Sequence, residues 1–445
     1  MTAAAADEAA GDEGSAEPTA GNGATAGSDT TAGKDASTRD DSRIDDRWGL
    51  VALRRSARAA APAIGLYLLL RLIAMTVTVM FAIDARARHV AQFQFYDGST
   101  NTTRGWRTVM DLLLSFDGRW YTLIAAQGYG HSGVIDANNV PDNFRLAFFP
   151  LYPTTVRLVA GGTGMSVEAA AIVVSVLSSI AAAWALFAIG EHLHGRRAGI
   201  LLAGAWALVP EGVTEHGGFT ESLYTALAAW ALYAVLTQQW VVAGALTAVA
   251  GLTRPTAVAL VGTVGLAALV AVVRGRDSWE PYVAALLSPV GYVAFLLYAG
   301  SRLGRVDGFF DLQRNWWDSY FDYGQTTVHD LHVILTGDPQ YGHAVFFVAA
   351  LAVLAVVPLL ILAGMARTHW VLLVFAAVMA IGVLGSHAHF STLPRHLLPA
   401  FPLLVAPAVA LARARTRYLA VLLVTAALLA GWYGGWVPLS SGQTV

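Results

Sequence analysis

From residue 61 onward the chain runs through eleven apolar stretches, at 61–83, 168–190, 198–212, 219–236, 240–253, 256–273, 281–301, 343–365, 370–386, 396–412 and 418–436. A hydrocarbon core takes about 20 apolar residues per helix. It offers no water to satisfy backbone amides, so a chain crosses it as helices or as a closed barrel. Stretches this apolar and this long predict an all-α, polytopic transmembrane bundle of about eleven spans. The third and fifth are short. Residues 240–273 are too many for one pass and divide at Thr253-Arg254-Pro255, where proline cannot continue a helix.

Composition agrees. Of 445 residues, 56% are hydrophobic and only 13% charged, about half the charged share of a soluble domain, and the mean hydropathy is +0.54. That argues against an ordinary soluble enzyme. There is no cysteine, which excludes disulfide frameworks, thiolate metal sites and cysteine nucleophiles. Residues 1–47 carry eleven acids and four bases, a net of −7, so the remaining 398 residues carry +5 against the total of −2. The segment 1–47 has no aromatic residue and too little apolar surface to offset its ordering entropy, so it is expected to be a disordered acidic cytoplasmic tail. The membrane domain is expected at 48–436, with 437–445 as a short extracytoplasmic tail. Nothing in the charge pattern suggests nucleic acid as a partner.

Short loops rich in Arg mark the cytoplasmic side. Arg54, Arg55 and Arg58 precede the first span. Counting forward, Arg196 and Arg197, Arg274 and Arg276, Arg367, and Arg413, Arg415 and Arg417 all fall in loops on that same side. This count requires 144–160, interrupted by two prolines and two arginines, to lie along the outer interface rather than cross. Two long outer loops result, 84–167 and 302–342, the first with juxtamembrane helices.

The outer loops collect the polar residues that chemistry needs. Asp117, Arg119, Trp120, Tyr121 and Tyr129 cluster after the first span. A carboxylate there can take a proton from a hydroxyl as general base, although the residues alone slightly favour a solvated loop with an internal Asp117–Arg119 pair. Between the third and fourth spans lie His216 and Glu221. An ionised carboxylate entering an apolar helix is expensive and is usually retained for function. Capping explains Thr220 better than it explains Glu221. Arg254 sits in an apolar break, where its fork of donors suits phosphate oxygens. Arg395 and His396 follow His387 and His389, and Arg395 has the alternative of snorkelling to headgroups. The i, i+2 histidine pair makes no convincing metal site, and no cofactor is expected; a divalent cation held by outer carboxylates is possible but unsupported. Loop two mixes Trp316, Trp317, Tyr320, Phe321 and Tyr323 with Asp311, Asp318 and Asp322, a set that fits an interfacial aromatic belt and also a sugar site.

Taken in order, five stretches resemble the PIG-V family of GPI mannosyltransferases, within the GT-C class of membrane glycosyltransferases. They are Phe-Asp-Gly-Arg-Trp-Tyr at 116–121 with Gly-Tyr at 128–129, Ala-Phe-Phe-Pro-Leu-Tyr-Pro at 147–153, Phe-Thr-Glu-Ser-Leu-Tyr at 219–224, Arg-Pro-Thr at 254–256, and, more weakly, Leu-Pro-Arg-His-Leu-Leu-Pro-Ala-Phe-Pro at 393–402. The family's Trp-Asp pair falls on Phe116-Asp117, and its Arg-Ser-Asn-Gly on Arg254-Pro255-Thr256-Ala257. The resemblance implies a GT-C bundle that takes mannose or another hexose from a polyprenyl-phosphate donor and passes it, with inversion, to a lipid or protein glycan acceptor on the non-cytosolic side. It implies Asp117 and Glu221 as catalytic residues and Arg254 and Arg395 as holding the donor phosphate; Arg119, Trp120, Tyr129, His216 and His396, from the same polar groups, are expected to bind substrate. The alternative is a polytopic transporter or flippase, which predicts charges at mid-membrane and internal repeats; no repeat is evident and the charges sit at one rim. A non-catalytic scaffold and a lipid-sugar ligase stand behind it.

Overall fold

A computed structural model describes residues 50–87, 106–130, 142–275, 278–341 and 343–441. The chain divides into two units, 1–55 and 56–445. The first unit, which includes the expected disordered tail, lies almost wholly outside the described residues. The helical architecture belongs to the second.

The helices in chain order are α1 (Leu50–Ala87), α2 (Trp106–Leu113), α3 (Asp117–Gln127), α4 (Leu151–Thr163), α5 (Val167–His194), α6 (Arg196–Trp206), α7 (Glu221–Leu236), α8 (Trp240–Ala250), α9 (Val258–Val273), α10 (Glu280–Leu287), α11 (Val290–Leu303), α12 (Gly308–Trp317), α13 (Gln325–Leu335), α14 (Ala344–Met365), α15 (Trp370–Leu384), α16 (Leu393–Leu397), α17 (Val405–Leu411) and α18 (Thr416–Ser441). Two short strands, β1 (Tyr320–Phe321) and β2 (Ser386–His387), pair antiparallel.

Each apolar stretch of the sequence coincides with helix, and the protein is a polytopic helical membrane protein. The figure of eleven spans is not reproduced. Six helices are long and apolar enough to cross: Arg55–Asp84, Val167–His194, Pro255–Val273, Glu280–Leu303, Ala344–Met365 and Thr416–Trp436. Two more crossings exist only if bent pairs count as one span each, Pro210–His216 with Glu221–Leu236, bent by 94°, and Phe390–Leu397 with Phe401–Leu411, bent by 79°. α6, α8 and α15 have 11, 11 and 15 residues, or about 16–23 Å at 1.5 Å per residue, short of the hydrocarbon thickness. The last helix runs to Ser441, past the expected start of a tail at 437. The segment 84–167 holds α2, α3, α4 and a 3-10 turn, Asp142–Ala147.

Small residues set the closest approach. α5 and α6 form a hairpin in which a Cβ on Gly190 would meet the Gly199 Cα at 2.6 Å, the backbone-to-backbone packing that membrane helices use. Large aliphatics such as Leu351, Ile361 and Leu429 face outward from α14 and α18, as lipid contact allows.

The two ends of the bundle differ. Ser175 on α5 hydrogen-bonds the Phe219 carbonyl before α7, while His192 near the other end of α5 packs on Tyr233 near the end of α7. These levels are about 25 Å apart along α5. Arg197 donates to the Ala414 carbonyl at 2.6 Å, which joins two of the Arg-rich loops at the His192 end.

Candidate functional site

At the Phe219 end, four charged side chains from four separate breaks in helical structure meet. The Arg395 guanidinium is ion-paired through Nη2 to Asp117 Oδ2 and through Nε to Glu221 Oε1 at 3.2 Å. Arg254 Nη1 lies 3.3 Å from the same Glu221 oxygen. Arg254 Nη2 is 2.8 Å from His396 Nδ1; an arginine only donates, so that ring nitrogen accepts and His396 carries its proton on Nε2. Glu221, Arg254 and Arg395 are 5% exposed or less, whereas Asp117 is 25% exposed. Asp117 is therefore the member open to a ligand. The carboxylates and guanidinia cancel, which is how four charges are tolerated in an apolar bundle.

Local sequence explains each placement. Glu221 opens α7, where the helix dipole favours an acid. The bend ahead of α7 lets the segment 217–218 touch the segment 113–118: Gly218 N–H donates to the Leu113 carbonyl at 2.8 Å, and a Cβ on Gly118 would meet the Gly218 oxygen at 3.3 Å. Only backbone fits between them, and this seats Asp117 beside Glu221. Phe116, just before Asp117, has φ of 52°, a strained value for a bulky residue. Arg254 is extended in the break between α8 and α9, with Pro255 starting the next turn. Arg395 lies in α16, inside the second bent pair.

α3, which carries Asp117 at its start, is held at its other end by two arginines. Arg145 donates to the Gly128 carbonyl at 2.7 Å and to Gln127 Oε1 at 2.6 Å. Arg157 donates to the Ala125 and Ile124 carbonyls at 2.6 and 3.1 Å. The Ala125 and Gly128 carbonyls lie at the C-terminal end of the helix, where backbone acceptors lack intrahelical partners. The arginines that interrupt 144–160 are thus caps.

The remaining sequence candidates scatter. Arg119 is exposed, and the partner of Asp117 across the fold is Arg395. Trp120 is a packing residue, stacked with Phe148 and tilted on Phe144. The Tyr129 hydroxyl donates to the Phe148 carbonyl at 2.7 Å, committing its polar end to the backbone. His216 belongs to a second buried network. Its Nε2 is 3.3 Å from the Tyr67 hydroxyl, which donates to Glu215 Oε2 at 2.7 Å; Arg71 Nε lies 3.8 Å from Glu215 and its Nη2 donates to the Gly212 carbonyl. Tyr433 donates to Glu211 at 2.7 Å. This network braces the bent segment 210–216 between α1 and α18.

Three aromatic residues outside the expected catalytic and binding set complete the site. Tyr121 is buried, and burial pushes its phenol up, with Asp117 and Glu221 adding to the rise; it stays protonated as a donor beside both carboxylates. It lies one helical turn after Asp117, so the i, i+4 spacing was the signal for it. The Arg395 guanidinium lies over the Phe219 ring at 5.2 Å and that of Arg254 over Tyr224 at 6.0 Å.

Loop two folds over the 385–391 segment. His387 is 3.2 Å from Asp318 and 2.7 Å from the Thr326 hydroxyl. A cavity of about 380 Å³ opens there, bounded by Trp317, Asp330, Tyr341, Phe346 and Ser391 among others, without Asp117, Glu221, Arg254 or Arg395 in its lining. Among the described residues, no group of three His, Cys, Asp or Glu side chains is placed to hold a metal ion.

No family model matches the chain, and no curated protein does, so the resemblance to the PIG-V family rests on its motif stretches alone. Among solved structures, two crystal structures of ArnT from Cupriavidus metallidurans are similar. The one bound to undecaprenyl phosphate has a TM-score of 0.48 and 17% identity over 79% of this chain. The apo one has a TM-score of 0.49 and 16% identity over 80%. The chain spans 61% of the length of each.

Proposed function

We propose that this protein is a membrane glycosyltransferase of GT-C type, moving a hexose, mannose by the family resemblance, from a polyprenyl-phosphate donor to an extracytoplasmic lipid or protein glycan acceptor with inversion. The observation that carries the reading is the convergence of Asp117, Glu221, Arg254 and Arg395 at one end of the bundle, with only the aspartate open.

In this reading the acceptor hydroxyl gives its proton to Asp117 while its oxygen bonds to the anomeric carbon. The bond from that carbon to the phosphate oxygen breaks, and the lipid phosphate leaves with the electron pair. A single displacement through an oxocarbenium-like state inverts the centre. Arg254 and Arg395 neutralise the departing phosphate. Both are engaged by carboxylates in the free protein, and the four charges sum to zero. The donor phosphate therefore competes for a guanidinium. Arg395 exchanging Asp117 for phosphate is the favoured swap, because Asp117 is the exposed partner, and the swap frees the base only when donor is present. Glu221 stays between the arginines and aligns them, and His396 orients Arg254.

The test is Asp117→Asn, assayed in membranes for transfer of labelled sugar from a polyprenyl-phosphate donor. Loss of a general base lowers the rate by about 10²–10⁴-fold, with insertion and thermal stability retained. Turnover near wild type in Asp117→Asn sinks the proposal.

A further inference from the structure

The cavity under loop two is a second polar feature at the site end of the bundle that the transfer chemistry does not use. Its lining includes Asp318, Asp330, His387, His389, Thr326 and Ser391. It contains two carboxylates and no Lys or Arg, so it repels a phosphate and is unsuited to the donor's charged group. Its volume of about 380 Å³ lies within the range of about 300–1,000 Å³ typical of small-molecule sites. Four aromatic rings, Trp317, Tyr341, Phe346 and Phe390, share its lining with the carboxylates. Tyr341 packs edge-on against Phe346 at 4.9 Å, and Trp317 closes another side.

The hydrogen-bonding capacity of that lining is only partly used. A carboxylate offers about four lone-pair sites. Asp318 faces His387, and Asp330 is bonded by Tyr341, with burial pushing its carboxyl up despite His329, His387 and that bond. The lining offers acceptors in its carboxylates and donors in its hydroxyls and histidine rings, with aromatic rings beside them. A ligand rich in hydroxyls, which both donate and accept, with a C–H face to lay on a ring, matches that set.

The position relates the cavity to the charged cluster. Ser391 lines it, and Arg395 follows four residues later on the same helical run. On the other side, Trp317 packs on Phe148 at 5.7 Å, and Phe148 packs on Tyr121 at 5.1 Å. One aromatic layer thus separates the cavity from the side chains that face Asp117.

From this we infer that the loop-two cavity is a subsite for a neutral, hydroxyl-rich acceptor, holding a sugar unit beyond the one that reacts. Its role as an acceptor subsite rests on the transferase reading. Loop two acts as its wall, pinned by the β1–β2 pairing and by His387.

The test is equilibrium binding of neutral trisaccharides (mannotriose, maltotriose and cellotriose) to the purified full-length protein in nanodiscs, with inorganic phosphate as the anionic comparison. At least one trisaccharide binds saturably to wild type, and phosphate does not displace it. Asp330→Asn and Trp317→Leu weaken that binding tenfold or more, with melting temperature as the check on folding and Tyr341→Phe as the conservative companion. In the transfer assay, Asp330→Asn raises the acceptor KM with kcat held, whereas Asp117→Asn lowers kcat. No binding of any of the three sugars, or binding indifferent to both cavity variants, overturns the inference and leaves the transferase reading standing. Sugar binding that depends on Asp330, together with full activity in Asp117→Asn, removes the acceptor role along with the transferase.

Discussion

Glu221 holds two guanidinia through one carboxylate oxygen, and it is 2% exposed. Removing its charge leaves Arg395 beside Asp117 and Arg254 beside the neutral His396 ring, two buried cations against one carboxylate. Breaking a buried pair this way costs about 3–5 kcal/mol, so Glu221→Gln lowers the melting temperature of the purified protein. The same variant removes a competitor for the guanidinia, and the phosphate of a polyprenyl phosphate binds it more tightly than it binds wild type while transfer slows. Tighter binding in direct titration supports the exchange of carboxylate for phosphate; weaker binding counts against it. Glu221 and Arg254 were readable in sequence because charge inside an apolar run needs a reason. His216 was misplaced because adjacency along the chain does not survive the bend before α7, which turns it toward Tyr67 and away from Asp117.

At the scale of elements, α3 is a short helix pinned at both ends, by the site at its start and by Arg145 and Arg157 at its close. Arg145 is 2% exposed and makes two charged hydrogen bonds, each contributing about 1.5–3 kcal/mol. Arg145→Met therefore loosens the end of α3, and amides of 124–128 exchange faster while donor binding is kept and transfer falls. Loop two has a different anchor. Burial by itself raises the Asp322 carboxyl, but hydrogen bonds from Thr326 and Gly324 and the nearby His387 together hold it below the usual range. A carboxyl lowered on folding stabilises above its unfolded value, about 3.9, and that stabilisation is lost as pH falls through the lowered folded value. Protection of the Gly324 and Thr326 amides is then high at pH 7 and falls below about pH 4; Asp322→Asn removes that pH dependence. The docking of loop two was not legible beforehand, since its strands are two residues each and pair across some 65 positions, leaving no periodicity to read.

For the whole molecule, the two ends of the bundle carry different residues. The Arg197–Ala414 bond ties two Arg-rich loops together at one end, and Asp117, Glu221, Arg254 and Arg395 gather at the other. Composition made the bundle legible, because every lipid-crossing helix must be apolar over its full length. It could not fix the number of spans, because α6, α8 and α15 are apolar yet too short, and burial among other helices produces the same composition as lipid contact. The absence of cysteine makes the orientation directly measurable, since a single introduced thiol has no background. Arg119→Cys, exposed beside the site, reacts with a membrane-impermeant maleimide in intact cells, while Arg415→Cys, in the opposite loop, reacts only after permeabilisation. Labelling of both from the same side means that the two ends of the bundle do not face opposite compartments, and labelling of Arg119→Cys only after permeabilisation means that an extracytoplasmic acceptor has no access to Asp117.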